Sequence, residues 1–227
     1  MSPNTASQLL AGLQYADSQF PGGAFAFSWG LEGLVADKIV ARASFESFLR
    51  DQIRNRWLCF DRPFVEAGLA ARRNIDRLAE LDDLIDAWTP VESQRRGSSR
   101  AGSALLGVHA RLGLEEAACY RSHAQANQFP CHLPLMTGLV LGARGIDAPT
   151  AAAVAVHGVM AGSVTAAIRL GLVSHIDGQR AIANLRPEVA EALCQPAPAI
   201  DDVCAFTPLT EIAMMRHPRR ELRLFSN

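Results

Sequence analysis

Residues 151–168, AAAVAVHGVMAGSVTAAI, run for 18 residues without a formal charge and end at Arg169. That length reaches the threshold at which a membrane span is considered. The composition points elsewhere, because alanine dominates and Gly158, Gly162, Ser163, Thr165 and His157 lie inside the run. Small residues let helices approach closely, so the stretch reads as the tightly packed central helix of a protein core. The contrary reading, a membrane-embedded or membrane-surface chain, is separable by whether the protein partitions with membranes in a cell extract. The helical reading sets the fold class as all-α.

Working outward, helical spacing and breakers predict helices over 90–112, 115–127, 132–145, 149–173, 187–194 and 200–215. Gly113, Pro130, Gly145-Ile146-Asp147 with Pro149, Asp177-Gly178, and Pro196 with Pro198 separate them. Thr89-Pro90-Val91-Glu92 reads as a capping box at the start of the 90–112 helix. Before it, Leu78, Leu81, Leu84, Ile85 and Trp88 mark one amphipathic helix. From Ser44 to Ala71 a longer one is kinked or divided by Pro63, which has no N–H to donate. Leu31, Leu34 and Val35 give a short helix that Ser28 can cap, and residues 5–15 another, with turn formers from Asp17 to Gly23 between them. No alternating strand run, fixed-period repeat or low-complexity linker appears, so residues 1–227 are expected to form a single compact domain of about eight to ten helices.

At 227 residues and 49% hydrophobic content the chain can bury one substantial core. A formal net charge of −1 and a pI near 6.6 supply no basic field for nucleic acid or an anionic membrane. Only Lys38 among the 22 basic residues is a lysine. The cationic surface is therefore guanidinium, suited to forked bonds with carboxylates, although genomic base composition gives the same bias. Five cysteines, an odd number without a C-x-x-C, fit free thiols in a reducing compartment better than a disulfide framework or zinc knuckle. The segment Met1 to Leu13 lacks the pattern of a secretory signal, and a cytoplasmic protein is expected.

A nucleotide-hydrolysing P-loop needs a lysine after phosphate-cradling glycines, and Lys38 stands in Ala36-Asp37-Lys38-Ile39. His109, His123, His132, His157, His175 and His217 are at least nine residues apart, so no pair has helical metal-ligand spacing and no metal or cofactor is expected. Cys131-His132 supports an alternative, a small helical thiol-dependent hydrolase. Adjacent residues diverge by about 100° on a helix, which argues against that pair. The run Glu92-Ser93-Gln94-Arg95-Arg96-Gly97-Ser98-Ser99-Arg100 could bind carboxylate or phosphate groups near a helix start, or form a solvated face.

Ala16-Asp17-Ser18, Pro21, Gly23, Phe25 and Ser28-Trp29-Gly30-Leu31-Glu32 resemble the N-terminal signature of UreF, the urease accessory protein family. The same order is kept by the Glu92 to Gly102 run, by His132-x-Pro134 with Gly138-Leu139, and by Ala167-Ile168-Arg169-Leu170-Gly171-Leu172. It continues through Met215-Arg216-His217 and Arg223-Leu224-Phe225. Phe27, Pro218, Glu221 and Ser226-Asn227 depart from the residues usual in the family.

The resemblance implies an all-helical, homodimer-forming, non-enzymatic scaffold. It would join UreD (also called UreH) and the GTPase UreG to assist nickel delivery into apo-urease. Partner-facing roles carry over to Ser28, Gly30, Leu31, Glu32, Arg95, Arg96, Arg100, His132, Arg216, His217, Arg219, Arg223, Leu224 and Phe225. Arg95, Arg96 and Arg100 would contribute to any modulation of UreG. The tail, 216–227, holds four arginines and one glutamate and is expected to be poorly ordered until UreD binds it.

Overall fold

The computed structural model describes residues 3–17, 19–22, 27–216 and 224–225, and among them there is no β-strand. In chain order the helices are α1 (Pro3–Ala16), α2 (Leu31–Ala36), α3 (Phe45–Gln52), α4 (Arg62–Ala70), α5 (Ile75–Trp88) and α6 (Glu92–Arg111). They continue with α7 (Glu115–Asn127), α8 (Leu133–Ala143), α9 (Ala148–Arg169), α10 (His175–Leu193) and α11 (Pro208–Arg216). A π-helical segment, Ile53–Asp61, joins α3 to α4 as one bent rod, so the described residues form ten helices.

The bend follows from Pro63. Its missing N–H leaves the carbonyl four residues back, on Cys59, without its helical donor, and the widened turn accommodates the ring. That carbonyl instead accepts the N–H of Cys204 at 3.1 Å, and Asn55 accepts Phe206 at 2.9 Å. The strap 203–207, which leads into α11, is thereby hung on the π segment.

The helix at the centre is α8. Leu135, Met136, Leu139, Val140 and Leu141 are all buried there, and α8 contacts α4, α5, α6, α7 and α9. Its crossing with α4 is backbone on backbone: a Cβ at Gly138 would lie 1.9 Å from the Val65 carbonyl oxygen, and one at Gly68 2.3 Å from that of Leu135. α9, which carries the charge-free run and ends at Arg169, is long and apolar enough to cross a membrane by length and composition, yet it packs against α1, α2, α4, α8 and α10 and builds one of two core clusters. Val156, Met160, Val164 and Ala167 are buried on its inner face, while Ala153, His157 and Gly158 face outward. The run packs at the core as expected but is not covered all round, because alanine and glycine on the outer face expose too little apolar area to require cover.

Three further expectations change. Asp177-Gly178 does not end a helix: Ser174 Oγ accepts the Asp177 N–H at 3.1 Å, Asp177 accepts the Ser174 N–H at 3.2 Å, and α10 begins there. Pro187 lies inside α10 with its surroundings exposed, so the carbonyl it orphans can meet water. Thr89 is not the cap of α6. It closes α5, and α6 starts from Val91 without a side-chain cap. Residues 200–215 are not one helix but a 3₁₀ turn at Ile200–Asp202, the strap, and α11.

Candidate partner-binding surfaces

The segment 28–32 sits beneath α11. Gly30, not Ser28, is the N-cap of α2, with φ 89°, and a Cβ there would meet Thr210 Cγ2 at 2.7 Å. Ser28 Oγ still reaches the Glu32 N–H, at 3.4 Å. Ser28, Leu31 and Glu32 are buried, so they position α11 and the tail instead of facing solvent.

The buried Glu32 carboxylate accepts the Leu224 N–H at 2.6 Å. Arg169 Nη2 donates to the Leu224 carbonyl at 3.3 Å, and its guanidinium lies 4.2 Å from the centre of the Phe225 ring. Phe225 is only 6% exposed and joins the core cluster of α2, α3, α9 and α10. Leu224, through its backbone, and Phe225, through its ring, are thus held on the chain's own body, while most of the tail expected to be poorly ordered, 217–223 and 226–227, lies outside the described residues. A cation over the ring and a bonded backbone offset the ordering entropy that frays most chain ends. Arg216 is exposed at the end of α11, and His217, Arg219 and Arg223 lie outside the described residues.

The outer face of α11 is a surface that the sequence patterns above do not single out. Phe206, in the strap just before the helix, and Leu209, Ile212 and Met215 on it are 75%, 57%, 43% and 54% exposed, while Thr210, Ala213 and Met214 pack inward against α2 and α6. The signal was present as large apolar residues at three-residue spacing on the side opposite a second apolar set. An exposed stripe of this kind is characteristic of association surfaces.

On α6 the arginine–serine run divides by direction. Ser93 Oγ donates to the Met214 carbonyl at 3.2 Å, Ser98 Oγ accepts the Leu133 N–H at 3.1 Å, and Ser99 Oγ donates to the Pro130 carbonyl. Arg95 turns inward, donating to the Thr89 carbonyl at 2.6 Å. Of its arginines and serines, Arg96 and Arg100, one turn apart, are the exposed ones. Arg96 pairs with Glu92 at 2.6 Å, and Arg100 lies 5.6 Å over the Phe27 ring.

Cys131 and His132 belong to a structural turn. Asp82, fully buried on α5, accepts the N–H groups of Cys131 (2.6 Å) and His132 (2.7 Å) and the Tyr120 hydroxyl (3.1 Å). This clamp holds Cys131 at φ 63°, a conformation non-glycine residues seldom adopt. Burial pushes the Asp82 carboxyl up to about 6 against the pull of its donors. Burial also pushes the Cys131 thiol up to about 11 and the His132 imidazole down to about 4, although Asp86 lies 3.2 Å from its Nε2. A raised thiol beside a neutral ring directed at Asp86 lacks the thiolate–imidazolium pairing that the alternative hydrolase needs. His132 is buried, as is His109, whose ring lies 4.9 Å from Tyr15 and 5.3 Å from Phe20. Among the described residues no group of three or more His, Cys, Asp or Glu side chains could hold a metal ion.

These features define an all-α protein whose accessible chemistry is an apolar helix face and a cationic helix edge. A family model of UreF matches residues 39–186. The chain is 30% identical to the urease accessory protein UreF of Trichodesmium erythraeum over 227 residues, covering 97% of each chain. It is 28% identical to that of Actinobacillus pleuropneumoniae serotype 5b, covering 96% of this chain and 98% of the relative. With that of Rhizobium leguminosarum bv. viciae it shares 30% identity, covering 91% and 90%. The chain belongs to the UreF family of urease accessory proteins.

Proposed function

We propose that the chain is a non-enzymatic assembly factor that bridges UreD and the GTPase UreG while nickel, the cargo, is delivered to apo-urease. The observation that carries this reading is the stripe of four large exposed apolar side chains, Phe206 at the end of the strap and Leu209, Ile212 and Met215 on the outer face of α11. UreD is assigned to that face because it is continuous with the tail: Glu32 and Arg169, which seat Leu224 and Phe225, lie on α2 and α9, and α2 packs on α11. UreG is assigned to the outward edge of α6, where Arg96 and Arg100 suit carboxylate or phosphoryl oxygens. Homodimerisation, with the open face around Ala153, His157 and Gly158 as one available contact, and a cytoplasmic location complete the proposal.

Co-purification with UreD tests it. Phe206→Ser with Met215→Ser should abolish capture while leaving the helical circular dichroism unchanged, because both side chains are solvent-exposed. Arg96→Ala with Arg100→Ala should retain UreD and lose UreG. Undiminished capture of UreD by the first double variant would remove the assignment.

A further inference from the structure

Cys59 and Cys204 lie 145 residues apart in sequence (204 − 59) and are brought together by the strap. The Cys204 N–H donates to the Cys59 carbonyl at 3.1 Å, and the Phe206 N–H donates to Asn55 at 2.9 Å. That bond brings the two backbones into contact at the cysteines themselves, the proximity a disulfide requires. The Cys59 thiol donates to the Arg54 carbonyl at 3.0 Å and lies close enough to Cys204 for each thiol to feel the other's charge. Cys204 is exposed and Cys59 half-buried. The pairing is a consequence of Pro63, which frees the carbonyl that the strap takes up.

We infer that Cys59 and Cys204 form a reversible thiol–disulfide site that exchanges with low-molecular-weight disulfides of the glutathione class. The exposed Cys204 thiolate attacks one sulfur of the small disulfide, forming a mixed disulfide and releasing one small thiolate, which takes a proton. Cys59 then gives its proton to water and attacks the Cys204 sulfur, releasing the second small thiol. Two protein thiols are oxidised to one disulfide, and one small disulfide is reduced to two thiols. Burial raises the Cys59 thiol, which makes Cys204 the entry point and Cys59 the resolving group. The bond would fix the strap, and with it the entry to α11, onto the π segment.

The test uses the folded full-length chain, equilibrated with oxidised and reduced glutathione at a series of ratios, then acid-quenched, denatured, alkylated and mapped by mass spectrometry. Alkylatable thiols should fall from five to three, with Cys59 and Cys204 in one linked peptide pair that excess reduced glutathione reverses. Cys204→Ala should abolish the link, and because that side chain is exposed the fold should be unaffected. Cys59→Ala should accumulate a glutathione adduct on Cys204 that the unsubstituted protein resolves. A persistent adduct on Cys204 with Cys59 alkylated in the unsubstituted protein would overturn the inference. So would linkage to another cysteine or another chain, or a link that forms only after denaturation.

Discussion

Replacing Gly138 by alanine adds one methyl group at the point where α4 and α8 touch through their backbones. The new Cβ would sit 1.9 Å from the Val65 carbonyl oxygen and 2.8 Å from the Leu69 nitrogen. Carbon and carbonyl oxygen rest at about 3.3–3.6 Å, so the helices must part by roughly 1.5 Å. Even a 0.5–1 Å gap forfeits roughly a quarter to a half of each dispersion contact across it. Overpacking of this kind costs typically about 1–3 kcal/mol, and a clash with backbone belongs at the upper end. Alanine's better helix propensity returns about 1 kcal/mol, leaving a net loss of about 2 kcal/mol. For a chain of this size that lowers the thermal midpoint by about 4–8 °C. Gly158→Ala is the matched control: nothing lies within 4 Å of its added Cβ, so it should stabilise by up to about 1 kcal/mol. Urea and thermal unfolding followed by circular dichroism check both. Gly138→Ala as stable as the unsubstituted chain would refute the α4–α8 crossing and the central place of α8.

Asp82→Ala leaves three buried donors without their acceptor and should cost about 3 kcal/mol or more, whereas Tyr120→Phe, which removes one of the three, should cost about 1 kcal/mol; urea midpoints measure both. His109 and His132 are lowered by burial to about 4, so the folded state resists their protonation and stability should fall as pH drops from about 6.5 through 4. Asp82, raised to about 6, acts oppositely, its contribution being lost as pH rises from about 4 through 6, so replacing both histidines by glutamine should flatten or invert the pH profile of the thermal midpoint. Phe225→Ala should destabilise by up to about 3 kcal/mol, limited by the free energy of undocking the tail, and an unchanged thermal midpoint would contradict the burial of that ring.

The all-α class was legible because apolar residues recur at helical spacing throughout and breakers separate the segments. The low charge of 151–168 located one core helix, α9, but not the more buried α8, whose place depends on Gly68 and Gly138 allowing two backbones to touch, a contact between positions 70 residues apart that no local pattern reveals. Asp177-Gly178 reads as a turn, yet Ser174 stands three residues before Asp177 and forms the reciprocal cap that begins α10. Dipeptide signals are weaker than the hydrogen bonds they compete with. The family blocks located the important segments but not their direction. Ser28, Leu31, Glu32 and His132 are spent on the interior, and the hydroxyls of the arginine–serine run hold α11 and the 130–133 turn. The exposed stripe leading onto α11 is not legible in the sequence because both faces of the helix carry apolar residues, and only tertiary packing decides which one is covered.

The most direct test of the central claim is amide hydrogen exchange of the full-length chain, alone and saturated with UreD, read peptide by peptide. The proposed docking predicts added protection over 206–216 and 224–225, with α7 unchanged. Protection confined to α6 or α7, with α11 exchanging as it does in the free chain, would contradict it.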